Sequence, residues 1–324
     1  MESDVIFANL EAPVTAAESP RENKKYILKT SSEILDIFPR KMVFSIANNH
    51  ILDYGAAGLM ETIDNLSGKK LKFTGAGENL AEAGKPVIAE CDGKNVGFIA
   101  CADSRYLAAT ENNPGVFPAD PALLIPKITK LKTAVDLVYV SVHMGMEYIS
   151  VPTPGMQRLA GQCHLAGANV VFFHHAHCVS GYILRENGAT LWGLGNFIFP
   201  ENDQYPFKPW FEAASWSITH DISASSLDLH VTSFLINKNG LPEQPEKKTE
   251  KKIIERIENI SRQINSGKNL SWVRLKCILN ISYLKIVFSN YSDIVRRRGF
   301  MQVVRQMISS VKIQFLKNDQ HDPD

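Results

Sequence analysis

Seven side chains with the donor types of a metal centre recur where apolar runs stop: Glu11, Asn48, Asn49, His50, His143, His175 and His177. A carboxylate, carboxamides and imidazoles are hard-to-borderline ligands that suit Zn, Mn or Fe, and no thiolate stands among them. A lone His at a strand end is more often a hydrogen-bonded structural residue. The run His174-His175-Ala176-His177 is different, because three imidazoles in four residues directly after an apolar strand have few structural reasons to exist. Cation binding is the chemistry such a set supports.

The elements that must position these side chains are short strands. Residues 5–8 end in Asn9-Leu10-Glu11, residues 42–46 in Ala47-Asn48-Asn49-His50, residues 137–142 in His143, and residues 170–173 in the histidine cluster. Between them, residues 55–66 carry Leu59, Ile63 and Leu66 on one helical stripe. Residues 154–166 read as a second helix, with a Pro-Gly start and Gly167 as C-cap. Residues 87–90 and 96–100 flank Asp92-Gly93, the signature of a hairpin turn. Residues 191–199, 216–222 and 227–236 read as further strands, the last alternating like a half-buried antiparallel edge. Strands alternating with helices argue for a layered α/β fold, in which ligands bind at the strand-end loops.

The 324 residues, 44% hydrophobic and 21% charged, have the profile of a globular protein and exclude collagen, a disulfide scaffold and wholesale disorder. Five scattered cysteines, Cys91, Cys101, Cys163, Cys178 and Cys277, without a CxxC spacing suggest reduced, buried thiols. No apolar run reaches the 18 or so residues a bilayer needs, and the residues after Met1 lack a basic flank and apolar core. A cytoplasmic or membrane-associated location is therefore expected of the sequence as written, and an extracytoplasmic one if the natural start carries a signal sequence.

The formal net charge of +1 averages two unlike parts. After residue 240 there are 16 Lys and Arg against 9 Asp and Glu, leaving 19 against 25 before it. From residue 238 to 252 the composition shifts to Asn, Gly, Pro, Glu and Lys, as in a linker or solvated helix start. The expected organisation is a catalytic-type domain over residues 1–240, a basic amphipathic helical extension over 241–317 and a disordered tail over 318–324.

Five motifs, in order, carry a resemblance: Asn9-Leu10-Glu11; Ala47-Asn48-Asn49-His50 with Asp53-Tyr54-Gly55; His143 to Tyr148; Gly167-Ala168-Asn169 running into His174-His175-Ala176-His177; and Leu194-Gly195-Asn196-Phe197. Over roughly residues 4–236 the sequence resembles the bacterial capsule synthesis (CapA, poly-gamma-glutamate synthesis) family, which is similar to the calcineurin-like metallophosphoesterases. The resemblance implies a four-layered α/β/β/α sandwich and two divalent metal ions, Mn, Fe or Zn. It further implies Glu11, Asn49, His143, His175 and His177 as metal ligands and His50 as the donor that faces a phosphate, joined in the catalytic set by Asn48 and Glu147. Two cations so held clamp phosphoryl oxygens and lower the pKa of a bridging water. Asp53 and Glu147 are candidates for orienting the histidines.

Family members open with a strand ending in Gly-Asp, whose Asp is a ligand; this sequence starts almost at Asn9-Leu10-Glu11, so one strand and one ligand are expected to be missing from it as written. Phe173 and Ala176 stand where the family has Gly and Pro. The resemblance implies a capsule or exopolysaccharide biosynthesis protein with a phosphoesterase-like site acting on an anionic polymer or phosphate-bearing intermediate. The other reading is a non-catalytic subunit docked through the basic tail on a membrane-associated synthase. No nucleic-acid partner is expected.

Overall fold

Apolar, β-branched runs become strands here because both faces of each sheet are covered, so the runs need not alternate with polar residues. The structure, a computed structural model, describes residues 5–199 except 23, 25 and 187, then 214–221, 228–237, 239–267 and 270. The chain runs through β1 (Ile6–Asn9), β2 (Met42–Ser45), α1 (Gly55–Gly68), β3 (Lys72–Thr74), β4 (Ala76–Gly77), α2 (Leu80–Ala83), β5 (Val87–Cys91) and β6 (Lys94–Ala102). It continues through β7 (Gly115–Val116), α3 (Pro121–Lys132), β8 (Leu137–His143), α4 (Pro154–Leu165), β9 (Val170–His174), β10 (Tyr182–Arg185) and β11 (Gly188–Leu191). Last come β12 (Ala214–Asp221), β13 (Asp228–Ile236), β14 (Pro242–Glu243) and α5 (Lys247–Asn265).

Two sheets carry the site. One is parallel, in the order β1-β2-β3; the other is ordered β10-β11-β9-β8-β6-β5, parallel from β11 to β6 and antiparallel at both edges. They stack face to face. Phe7 of β1 lies flat on Phe98 of β6, ring centroids 5.3 Å apart, and edge-on to Phe172 of β9 at 4.9 Å. On the outer face of the first sheet, Leu59 and Leu66 of α1 cover Phe44 and Ile46. On the outer face of the second, Leu124 and Ile128 of α3 with Leu159 and Cys163 of α4 cover Val138, Val140 and Val142. Each large apolar side chain so buried contributes about 1.5–3 kcal/mol. The result is the α/β/β/α order of layers.

Local signals explain the element ends. Asp92 (φ 49°) and Gly93 (φ 70°) both take the left-handed conformation that a two-residue hairpin between β5 and β6 requires. Helix α4 opens on Thr153, whose hydroxyl accepts from the Met156 amide, and is followed by Gly167 at φ 108°. Behind the site, Gly75 (φ 105°) lets the chain that leaves β3 pack closely against both sheets: a Cβ there would lie 2.6 Å from Ala47 Cβ and 2.8 Å from Ala100 Cβ.

One strand is shorter than its sequence suggests. The run 191–199 stops as a strand at Leu191, the end of β11, and beyond it Leu194 alone bridges to Val179. Gly193 and Gly195 interrupt the run, and Gly195 sits at φ 76°. In the extension, α5 docks on the sandwich. Ile253 and Ile257 join the cluster around Val170 and Trp216, and Ile260 and Ile264 join the core under α4. Gly181 lets the helix approach, since a Cβ there would lie 2.6 Å from the Ser261 amide nitrogen. The remainder of the expected extension, from residue 271, and the tail 318–324 lie outside the described residues. Among the described residues no helix is long and apolar enough to cross a membrane.

Candidate metal centre

Strands β1, β2, β8 and β9 deliver their C-terminal ends to one edge of the sandwich, and there the polar residues meet. Beyond β1, Asn9 Nδ2 donates to Glu11 Oε2 at 2.9 Å and fixes the carboxylate. Its other oxygen, Oε1, lies 3.5 Å from His143 Nε2 and 3.5 Å from His177 Nε2. His143, fully buried at the end of β8, places Nε2 2.8 Å from Asn49 Oδ1. One ligand atom each from Glu11, His143 and His175 lies within 4.8 Å of the others.

The loop after β9 is bent to present its imidazoles. His175 (φ 89°) and His177 (φ 51°) both occupy the left-handed region, which non-glycine residues rarely adopt and which clusters at functional sites. His177 Nδ1 is held by Asn196 Oδ1 at 2.8 Å, leaving Nε2 towards Glu11. His175 Nε2 is held by the Tyr106 hydroxyl at 3.0 Å. Burial, and then the neighbouring imidazoles, hold His143 well below the usual imidazole range, and the same two causes bring His175 down to about 3. Neutral imidazoles keep a lone pair for a cation.

Beside this cluster stands a buried carboxylate. Asp53 accepts from His50 Nδ1 at 2.7 Å, from the Leu28 amide at 2.7 Å and from the Lys24 ammonium. With Nδ1 so taken, Nε2 is the nitrogen that His50 has free for a substrate. Burial pulls the Lys24 ammonium down in pKa, opposed by Asp53.

The model of the bacterial capsule synthesis protein PGA_cap matches residues 1–201, well over half of the chain. The chain belongs to the bacterial capsule synthesis protein family. It is 32% identical over 206 residues to the PGA biosynthesis protein CapA of Bacillus subtilis (strain 168), covering 61% of this chain and 54% of that protein. It is 30% identical over 210 residues to the capsule biosynthesis protein CapA of Bacillus anthracis, covering 61% of this chain and 51% of that one. The chain thus spans about half the length of these Bacillus relatives. A 5'-nucleotidase precursor from Thermus thermophilus overlaps 67% of this chain and 42% of its own at a TM-score of 0.36 and 14% identity.

The ligand set of this chain fits a divalent cation on its own chemistry. Glu11 Oε1, His143 Nδ1 and His175 Nδ1 are buried without a hydrogen-bond partner. Leaving a buried polar atom unpaired costs about 1–3 kcal/mol, and a cation beside Glu11 Oε1, which lies 3.5 Å from the Nε2 atoms of His143 and His177, would relieve that cost.

Of the eight residues singled out by sequence, the structure gathers Glu11, Asn49, His143, His175 and His177, with His50 beside them. Asn48 is placed differently: its Oδ1 accepts from the His50 and Ile51 amides at 3.0 and 2.9 Å, and its Nδ2 donates to Leu10 O at 2.8 Å. It is spent on fixing the β2 loop to the β1 loop. Glu147 is exposed on the loop after β8, outside the buried cluster, where its charge acts on Tyr106.

Three contributors carry no motif in the sequence. Tyr106 follows β6, itself a parallel neighbour of β8, so inspecting the end of that strand as well would have found it. Arg105 makes a bidentate pair with Asp103, Nε to Oδ1 at 2.9 Å and a terminal nitrogen to Oδ2 at 2.7 Å, and this pair frames the Tyr106 turn. Lys24 reaches the site across 25 to 29 residues of chain, with no local signal.

Proposed function

We propose that this protein serves the biosynthesis of a capsule polymer of the poly-gamma-glutamate type through a divalent-metal site that acts on phosphate esters. Membership of the capsule synthesis family supports the pathway, and the gathering of Glu11, Asn49, His143, His175 and His177 at four strand ends, with Glu11 Oε1 buried and without a hydrogen bond among them, supports the chemistry. Glu11, Asn49, His143, His175 and His177 would hold the metal. Bound there, divalent ions polarise phosphoryl oxygens and lower the pKa of water.

The chain's own residues do the rest. Asp53 holds His50 through Nδ1, so Nε2 meets the substrate oxygen; a proton on Nε2, carried together with Nδ1–H by the imidazolium form, would pass to the leaving group. Asn48 keeps the Asn49-His50 turn rigid by binding two amides on one side and the Leu10 carbonyl on the other. Asn196 and Tyr106 fix the ring orientations of His177 and His175. An anionic polymer or a phosphate-bearing intermediate is the substrate class, and a membrane-associated synthase is the partner the basic residues after 270 would meet.

The test is hydrolysis of bis(p-nitrophenyl) phosphate by Mn-loaded protein, with His50→Gln alongside. The expected result is turnover that falls about 100-fold or more in His50→Gln at unchanged metal affinity, within the range of general acid catalysis. Equal rates for the two proteins would overturn the assignment of His50, and absence of turnover with metal bound would favour the non-catalytic subunit.

A further inference from the structure

We propose that Lys24 is a positioning residue that locks the His50 imidazole and the Asn49 turn in their working arrangement. The inference deepens the reading of His50 given above and rests on it for its catalytic consequence, though not for its structural content.

A fully buried carboxylate has to be matched by donors and charge. Among the described residues, Asp53 takes donors from three places: His50 Nδ1 on its own turn, the Leu28 amide, and the Lys24 ammonium. The ammonium does more than offset the charge. It also donates to the Asn49 carbonyl oxygen at 2.5 Å and lies 3.3 Å from His50 Nδ1. A single cation therefore binds both ends of the Asn49-His50-Ile51-Leu52-Asp53 turn, the segment that carries one candidate ligand and the substrate-facing imidazole. The Arg21 amide adds a further tie, donating to the Asp53 carbonyl at 2.7 Å.

Without the ammonium, Asp53 loses its charged donor, the Asn49 carbonyl loses its Lys24 bond, and the carboxylate can turn away from Nδ1. The imidazole then samples other orientations and its second tautomer. Loss of a partner that orients a functional imidazole costs about 10- to 100-fold in function. A side chain that only shielded the turn would be replaced without loss by an apolar one of the same length. The Lys24 side chain is 22% exposed, so Lys24→Met keeps the stem's packing and removes only the charge and its bonds.

The test is read first on metal-free full-length protein carrying 15N-histidine. In the wild type the His50 Nδ1–H signal is expected to be protected from exchange. In Lys24→Met it is expected to exchange about tenfold faster or more, while the His164 signal, whose Nδ1 bonds to the Ala168 carbonyl at 2.9 Å far along the sheet, stays put and reports an intact fold. Lys24→Cys alkylated with 2-bromoethylamine, which restores an ammonium at nearly the native reach, is expected to restore the His50 signal; alkylation with iodoacetamide is not. A His50 signal that is unchanged in Lys24→Met, or restored equally by both reagents, would overturn the proposal. A measurement without substitution stands behind these: the Lys24 ammonium of the wild type should give its own exchange-protected 15N signal, and one averaged with the bulk lysines would also overturn it. In the hydrolysis assay, kcat should fall about 10- to 100-fold in Lys24→Met with KM held within about threefold. Should the wild type hydrolyse nothing while the His50 signal behaves as stated, the proposed function fails and the role of Lys24 stands.

Discussion

Tyr106→Phe isolates a single hydrogen bond at the site. The substitution keeps the ring, whose centroid lies 5.6 Å from that of His175 and 6.2 Å from that of His143, and deletes only the hydroxyl 3.0 Å from His175 Nε2. With Nε2–H given to the phenol oxygen, the Nδ1 lone pair is left for a cation; without it, the ring divides its time between tautomers and orientations. Removing such an outer partner weakens metal binding about 10- to 100-fold, or about 1.4–2.8 kcal/mol. A neutral phenol, in place of a carboxylate, puts the expectation near tenfold. Stability of the metal-free protein should change by no more than about 1 kcal/mol, the net worth of one neutral hydrogen bond. Competition against a fluorescent chelator for Zn, with urea unfolding of the same samples, reads both quantities. A dissociation constant within twofold of wild type refutes the orienting role, and a loss beyond about 1,000-fold would mean that Tyr106 is itself a ligand.

Other consequences follow from the packing and the buried imidazoles. Ile257→Ala, on the buried face of α5, should cost about 2–5 kcal/mol in urea unfolding, since the helix belongs to the core; a change below about 0.5 kcal/mol would mean that α5 is dispensable. Gly181→Ala should destabilise by a similar route, because the new Cβ meets helix backbone, and trypsin should then release α5 faster. The metal-free protein should lose stability in acid. Burial, then the neighbouring His177, lowers His174 to about 4, and His175 lies near 3, so the unfolded chain binds more protons than the folded one below about pH 6.5. The urea midpoint should therefore drop between pH 7 and pH 5, and drop less in His174→Gln; a midpoint flat over that range would contradict the burial of these rings. Divalent cation should shift the midpoint upward at pH 7 by mass action.

Much of the site was legible because parallel sheets write their functional residues at strand ends. The runs ending in Glu11, His50, His143 and His177 needed no tertiary information, and Asp92-Gly93 fixed one hairpin by backbone chemistry alone. The rest depended on contacts across the chain. Helix α3 does carry a start signal, Asp120 accepting from the Ala122 amide at 2.9 Å with Pro121 in the first turn, but Pro126 in its interior argues against a helix by sequence alone. The run 191–199 looks like a strand by composition, but its glycines turn it into the loop that brings Asn196 to His177. The isoleucine stripe of α5 predicted a helix and could not say what it would pack against. Tyr106 and Lys24 act through single polar atoms on residues far away in sequence, and such pairings leave no periodic trace.

Anomalous diffraction from crystals soaked in Zn or Mn, recorded on both sides of the metal's absorption edge, would show directly whether these strand ends hold a cation. A peak bounded by Glu11, His143 and His175, with His177 and Asn49 within coordinating reach, is expected, and its loss in Glu11→Gln. A difference map empty there, or a peak elsewhere that Glu11→Gln leaves intact, would contradict the assignment of these strand ends as a metal centre.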